Sequence, residues 1–288
     1  MITPDIDAAA RFLAASGRVL ERRRFDRLFG TGGPEPVRDA VAAYRNPDGG
    51  FGHALEPDGR CPGSQPLAIE FGLHALHDSD AWDDALAQGA CEWLDAHASA
   101  AGGAVFVDPA MAGWPHAPWL VPEDGQPASL ITTGLLAGTL HARGVRHPWL
   151  DRATELLWAR IEELTAGGPY DMRAVCYFLD HVPDRDRAAK AFAQAGSLIL
   201  DQGLVTLDPD APGEVHSPLD FAPLPGSLSR GLFEPAVIGA HLDRLASAQR
   251  DDGGWMFNWQ VWSPAAELEW RGAVTVNALH VLRRNGRG

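Results

Sequence analysis

The feature that most constrains the fold of this chain is a helix-ending corner that occurs near both of its ends. Asp39 to Phe51 reads DAVAAYRNPDGGF and Asp243 to Trp255 reads DRLASAQRDDGGW. Each joins the end of an amphipathic helix to an acidic residue, two glycines and an aromatic. Weaker copies lie between, where Gly102 and Gly103 lead to Phe106, and Gly167 and Gly168 lead to Tyr170. The glycines permit positive φ and so end a helix in a tight turn, while the aromatic packs back on the helix just left. A structural unit that recurs along a chain predicts a repeat architecture.

The helices between the corners are of two kinds. In 82–97 the residues Leu86, Ala90, Trp93, Leu94 and His97 form one apolar stripe, and in 149–164 Leu150, Ala153, Leu157, Ile161 and Leu164 form another, with charges opposite. By contrast 128–141 (ASLITTGLLAGTLH) and 272–281 (GAVTVNALHV) carry no Asp, Glu, Lys or Arg, and 67–76 carries only Glu70. Helices of the first kind face water on one side; helices of the second kind are enclosed. Alternation of the two predicts concentric layers. The expected fold is all-α, an α/α toroid: a double-layered ring of helical hairpins with about five to six repeats, spanning 1–288 as a single domain. Outer helices are expected near 34–45, 82–97, 149–164, 186–200 and 234–249, and inner ones near 65–77, 128–142, 170–181 and 270–284. An open solenoid is the alternative. Between Val205 and Arg230 five prolines occupy the place of a further inner helix, which predicts a long loop or a short broken helix, and a candidate lid.

Charge and cysteine content narrow the partners. With 24 Lys and Arg against 38 Asp and Glu the formal net charge is −14, which repels phosphate backbones and excludes nucleic acid as an expected partner. Cys61, Cys91 and Cys176 are widely spaced, with no CxxC pair, so neither a disulfide framework nor a thiolate zinc site is expected. The opening MITPDIDAAARFLAASGRVLERRR lacks an apolar run after a basic start, and no later stretch approaches the roughly 18 apolar residues of a membrane span. The expected location is cytoplasmic, with no transmembrane segment, no cofactor and no metal.

The segment QRDDGGW, Gln249 to Trp255, resembles the QW repeat of the squalene-hopene cyclase and prenyltransferase family at Gln249, Gly253 and Trp255. In the first copy Arg45 stands in place of the Gln and Phe51 in place of the Trp. The resemblance implies the α/α toroid and says little of chemistry, since one fold hosts many functions. The departures concern chemistry: the DxDD acid motif of the cyclases is missing, the spacing of Asp58 and Cys61 differs from the zinc pair of protein prenyltransferases, and the Cys-His neighbour pair of lanthionine cyclases is absent. No P-loop and no G-x-S-x-G elbow is present.

The densest polar run follows the first corner: His53, Glu56, Asp58, Arg60 and Gln65, just before an inner helix. In a ring such loops gather at one mouth, so His53, Glu56 and Asp58 are the expected catalytic groups, a desolvated carboxyl acting as general acid. Phe51, Arg60, Gln65, Trp114, Trp119, Asp171, Trp255, Trp259 and Trp262 are the expected substrate-binding residues, the aromatic faces stabilising positive charge. Plainer readings stand beside these: Glu56 or Asp58 pairs with Arg60 to shape the turn, Trp259, Trp262 and Trp270 seal the packing, Asp171 caps a helix, Arg173, His216 and Asp220 are solvated, and His74, His141 and His280 are core histidines. The expected function is an acid-initiated, metal-independent terpenoid cyclase or isomerase acting on a hydrophobic isoprenoid in a central cavity. The alternatives are a carbohydrate-active hydrolase or lyase on an α/α toroid, and a non-catalytic module that binds a hydrophobic ligand or a protein.

Overall fold

The computed structural model describes residues 2–288, and these form an all-helical chain of α-helices joined by turns and two short 3₁₀ segments, with no strand among the described residues. In order the helices are α1 (Ile6–Ser16), α2 (Val19–Phe29), α3 (Glu35–Ala42), α4 (Pro66–Asp78), α5 (Asp84–Ala96), α6 (Leu130–Ala142), α7 (Pro148–Glu162), α8 (Pro169–His181), α9 (Arg185–Asp201), α10 (Pro218–Phe221), α11 (Pro235–Ser247) and α12 (Pro264–Arg284). Proline opens α4, α7, α8, α10, α11 and α12, where its fixed φ suits the first turn and its missing N–H costs nothing. Side chains of Asp5, Asp83, Ser129 and Ser263 accept from free amides of the first turn and fix where α1, α5, α6 and α12 begin.

The chain forms two compact units, one of residues 33–191 and one that joins the first 32 residues to 192–288, with the division falling inside α9. In the 33–191 unit α4 packs on α3, α5 and α6, α5 packs on α7, and α6 packs on α7 and above all on α8. In the terminal unit α2 packs on α12, α1 packs on both, and α11 packs on α10 and α12.

Three of the four expected corners share one geometry. The Asn46 amide donates to the Gly50 carbonyl at 2.9 Å, and the Gly49 amide donates back to the Asn46 carbonyl at 3.0 Å. Ser99 and Gly103 repeat this with Gly102, and Arg250 and Gly254 repeat it with Gly253. The first glycine of each pair has φ near +90° (92°, 90° and 92°), which only glycine adopts without strain. Each lies against the next amphipathic helix: a Cβ on Gly49 would meet the Gly89 carbonyl of α5, one on Gly102 the Arg152 side chain of α7, and one on Gly253 the Ala8 carbonyl of α1 at 2.2 Å. The aromatic behaves as its position predicts, since Trp255 is buried and its Nε1 donates to the Leu245 carbonyl of α11, the helix just left. The fourth corner is a correction. Gly167 and Gly168 have no positive φ, and Gly168 instead precedes the first turn of α8 in extended backbone.

The expected helices all form, with α12 beginning six residues early. Two helices were not foreseen: α1 and α2, which fall before the first corner. The proline-rich stretch holds only the four-residue α10 and a 3₁₀ turn at Leu228–Leu232.

Candidate active site on α4 and α8

Both α4 and α8 carry a polar residue at every fourth position. On α4 these are Glu70, His74 and Asp78, and on α8 Arg173, Tyr177 and His181. Residues four apart share a helix face, so each helix presents these three groups as one polar stripe. The two stripes meet. The His74 and Tyr177 rings lie 5.4 Å apart, Tyr177 and His181 4.5 Å, and His77 stands edge-on to His181 at 6.0 Å.

The helix between them, α6, makes the meeting possible by being thin. Its Gly134 faces the Ala174 backbone and its Gly138 faces the Tyr177 ring, where a Cβ would come within 2.7 Å. Small residues at i and i+4 let α8 settle close on α6, and so set Tyr177 beside α4. Thr139 of α6 then meets the Tyr177 hydroxyl at 3.3 Å. At the far end of α6, Arg143 donates from Nε to His77 Nδ1 at 2.9 Å and from Nη2 to the His77 carbonyl at 2.6 Å, tying the end of α4 in place.

The His74 ring sits between two carboxylates, with Nδ1 3.7 Å from Glu70 and Nε2 3.3 Å from Asp78. Glu70 is 16% exposed and His74 32%, so the column is half-sunk, with a route to solvent. Burial raises the Glu70 carboxyl above its ordinary range, His74 and Arg173 opposing and Asp78 adding to the shift. Burial likewise pushes the Tyr177 phenol up. His77 is lowered to about 4, first by burial, with Arg143 and the neighbouring histidines adding to it against Asp78. His181 is lowered by burial, against the pull of its bond to the Tyr177 carbonyl at 2.8 Å. A carboxyl that burial makes slower to lose its proton, a phenol and imidazoles that burial makes slower to gain one lie along one seam and are candidate proton donors and acceptors. No three His, Cys, Asp or Glu side chains among the described residues are grouped to hold a metal ion.

The expected loop residues come together too, but on one another. The Asp58 carboxylate is 6% exposed and accepts from Trp119 Nε1 at 3.1 Å, while its carbonyl accepts from Ala117. Glu56 accepts from the Asp58 amide, the Arg60 amide donates to the Pro115 carbonyl, and Gln65 accepts from the Asp108 amide. These bonds knit 52–65 to 104–120. The space left between them, bounded by Glu56, Cys61 and Gln65, is about 10 Å³, room for one water. His53 and Ala54 have φ of 55° and 59°, and the His53 amide is held by the Cys61 carbonyl. The His53 ring is exposed and bonds Asn46. Phe51 is fully buried, whereas Trp114 and Trp119 remain 46% and 37% exposed. Asp171 caps α8 by accepting from the Gly168 amide at 3.1 Å. In the terminal unit Trp255 is core, Trp259 stacks on Phe257 at 4.5 Å and meets Trp270 edge-on, and Trp262 is half-buried.

Sequence reasoning passed over Glu70, Asp78, Tyr177 and His181, and set His74 aside as core. The available signal was the fourfold spacing of polar groups on helices otherwise read as enclosed. Comparison with protein-family models and with curated proteins gives no match, so the reading of this site rests on its geometry.

Proposed function

We propose that the chain is an α/α toroid of six hairpins, α1–α2 through α11–α12, and a proton-transfer enzyme in which Glu70 is the general acid. Support for the ring is the order of packing in each unit, outer helix on inner and inner on inner. The last corner, at Gly253, is covered by α1, so the start of the chain takes the place that follows the last hairpin.

The observation that carries the acid is the Glu70 carboxyl itself: desolvated, raised, and set in a half-buried column beside the Tyr177 ring. Such a carboxyl would donate its proton to the double bond or epoxide of an isoprenoid. The aromatic face would steady the cation, and loss of a proton from a neighbouring carbon would complete isomerisation or cyclisation. The carbohydrate hydrolase reading suits this column less, because the imidazole of His74 fills the space between Glu70 and Asp78 and leaves no room there for a glycosidic bond. The internally bonded loop at 52–65, with room for about one water, favours the non-catalytic binding module over catalysis at His53, Glu56 and Asp58. The test is turnover on a panel of isoprenoid alcohols, epoxides and diphosphates. Glu70→Gln is expected to lower it by about 10²- to 10⁴-fold with the melting temperature kept. A panel without product, or a variant with full turnover, rejects the reading.

A further inference from the structure

Between the start of α6 and the end of α7 lies a space of about 230 Å³, against about 10 Å³ in the loop at 52–65. It shares no residue with the column on α4 and α8. Leu130 of α6, Leu156 and Leu157 of α7, and Leu164 just past its end give it an apolar wall. Arg160 and Glu163 also line it, and both are exposed, so they mark its open side. We propose that this space binds a free apolar α-amino acid, with Arg160 on the carboxylate, Glu163 on the ammonium group and the leucines on the side chain.

The back of the space is fixed. Gly103 is buried behind it, where a Cβ would come within 2.6 Å of Leu156, 2.8 Å of Ala128 and 2.9 Å of Thr133, and all of these line it. The Ser129 amide and the Thr133 hydroxyl both donate to the Ala104 carbonyl, at 2.8 and 3.2 Å, which pins the start of α6 to that corner. The front stays open because the end of α7 is covered differently from the end of α11. After α11 the Trp255 indole folds back and bonds the Leu245 carbonyl, whereas after α7 Tyr170 is 41% exposed and no aromatic lines the space. An apolar cavity of about 150 Å³ takes up benzene, so this one has room for a branched or aromatic amino acid.

The charges select a zwitterion. Arg160 lies in the last turn of α7 and Glu163 at its cap, near enough to pair, yet neither side chain has a partner among the described residues. A bare carboxylate held by Arg160 would face Glu163 at like charge, and a bare amine held by Glu163 would face Arg160. An α-amino acid presents both signs on neighbouring atoms. The helix ends act in the same sense, since the start of α6 carries partial positive charge and the end of α7 partial negative charge.

The test is a chemical-shift titration of the full chain with L-leucine and L-phenylalanine. Beside them run 4-methylpentanoate, which lacks the ammonium group, isopentylamine, which lacks the carboxylate, and glycine, which lacks the apolar side chain. Leucine or phenylalanine is expected to shift the amides of Thr133 and Leu156, and each truncated probe to bind about tenfold more weakly. Arg160→Gln and Glu163→Gln are each expected to weaken leucine by about tenfold with the melting temperature kept, since neither side chain has a partner to lose. Glu163→Gln is also expected to strengthen 4-methylpentanoate, a change of selectivity that damage to the fold would not produce. Absence of binding by both amino acids overturns the proposal. So does leucine binding that both variants leave unchanged, or that 4-methylpentanoate or isopentylamine equals in the wild type.

Discussion

The loop at 52–65 and the column on α4 and α8 hold similar chemistry and put it to opposite use. Glu56, Asp58 and Arg60 lie within a few residues of one another: the Glu56 carboxylate is spent on the Asp58 amide, and the Asp58 carboxylate and carbonyl and the Arg60 amide are spent on the facing loop. Glu70, His74 and Asp78 are a helical turn apart, so no one of them can satisfy the others through the backbone. They are brought instead against Tyr177 and His181 from a distant helix, half-buried, with shifted proton affinities. Polar groups crowded along the sequence tend to build a turn, whereas polar groups spaced along a rigid helix and matched by a second helix can build a site.

The largest expected effect is the loss of about 10²- to 10⁴-fold in turnover for Glu70→Gln. The same substitution sharpens the comparison through stability. A carboxyl raised by burial stabilises the fold while it is protonated; that contribution is whole below its ordinary value of 4.5 and is lost as pH rises through its folded value, so Glu70→Gln should flatten the decline in stability that sets in as pH rises above 4.5, read in urea melts.

His77 gives the opposite sign. Its folded value near 4 lies below 6.5, so its contribution is whole above pH 6.5 and is lost as pH falls toward 4, on the order of 2–3 kcal/mol. His77→Gln is expected to remove most of that slope, measured as denaturation midpoints at intervals across the window. A variant that keeps the wild-type slope would show that the end of the column does not bury a neutral imidazole.

Gly138→Ala places a Cβ within 2.7 Å of the Tyr177 ring and should cost about 1–3 kcal/mol, with the Tyr177 fluorescence or ring resonances displaced. On the loop side, Asp58→Asn weakens the bond from Trp119 and should cost roughly 1–2 kcal/mol of stability. The smallest effect is His53→Gly, expected to stabilise by up to about 1 kcal/mol because φ of 55° suits glycine. If His53→Gly destabilises by more than that, the loop holds His53 for a reason beyond the turn.

Much of the fold was legible before any coordinates. The glycine corners and the alternation of striped and uncharged helices placed α3 to α9, α11 and α12 closely, because positive φ and amphipathic period are local properties. The N-terminal pair escaped because α2, VLERRRFDRLF, is densely charged, and its buried Arg24 meets Asn277, a partner that only folding supplies, while its buried Glu21 pairs with Arg18 one turn away. The site was half-legible. The sequence points to a desolvated carboxyl on the crowded loop at 53–65; the carboxyl that the structure buries and shifts upward is Glu70, on a helix otherwise poor in charge. The meeting of His74 with Tyr177 spans about a hundred residues and depends on Gly134 and Gly138 letting α8 approach, which no local pattern reports.

The central claim is that Glu70 carries a proton that its surroundings hold on to. The most direct measurement is the titration of its side-chain carboxyl by ¹³C NMR in the intact chain, assigned by comparison with Glu70→Gln. A midpoint clearly above the ordinary glutamate value near 4.5 is predicted; a midpoint at or below that value would contradict the account.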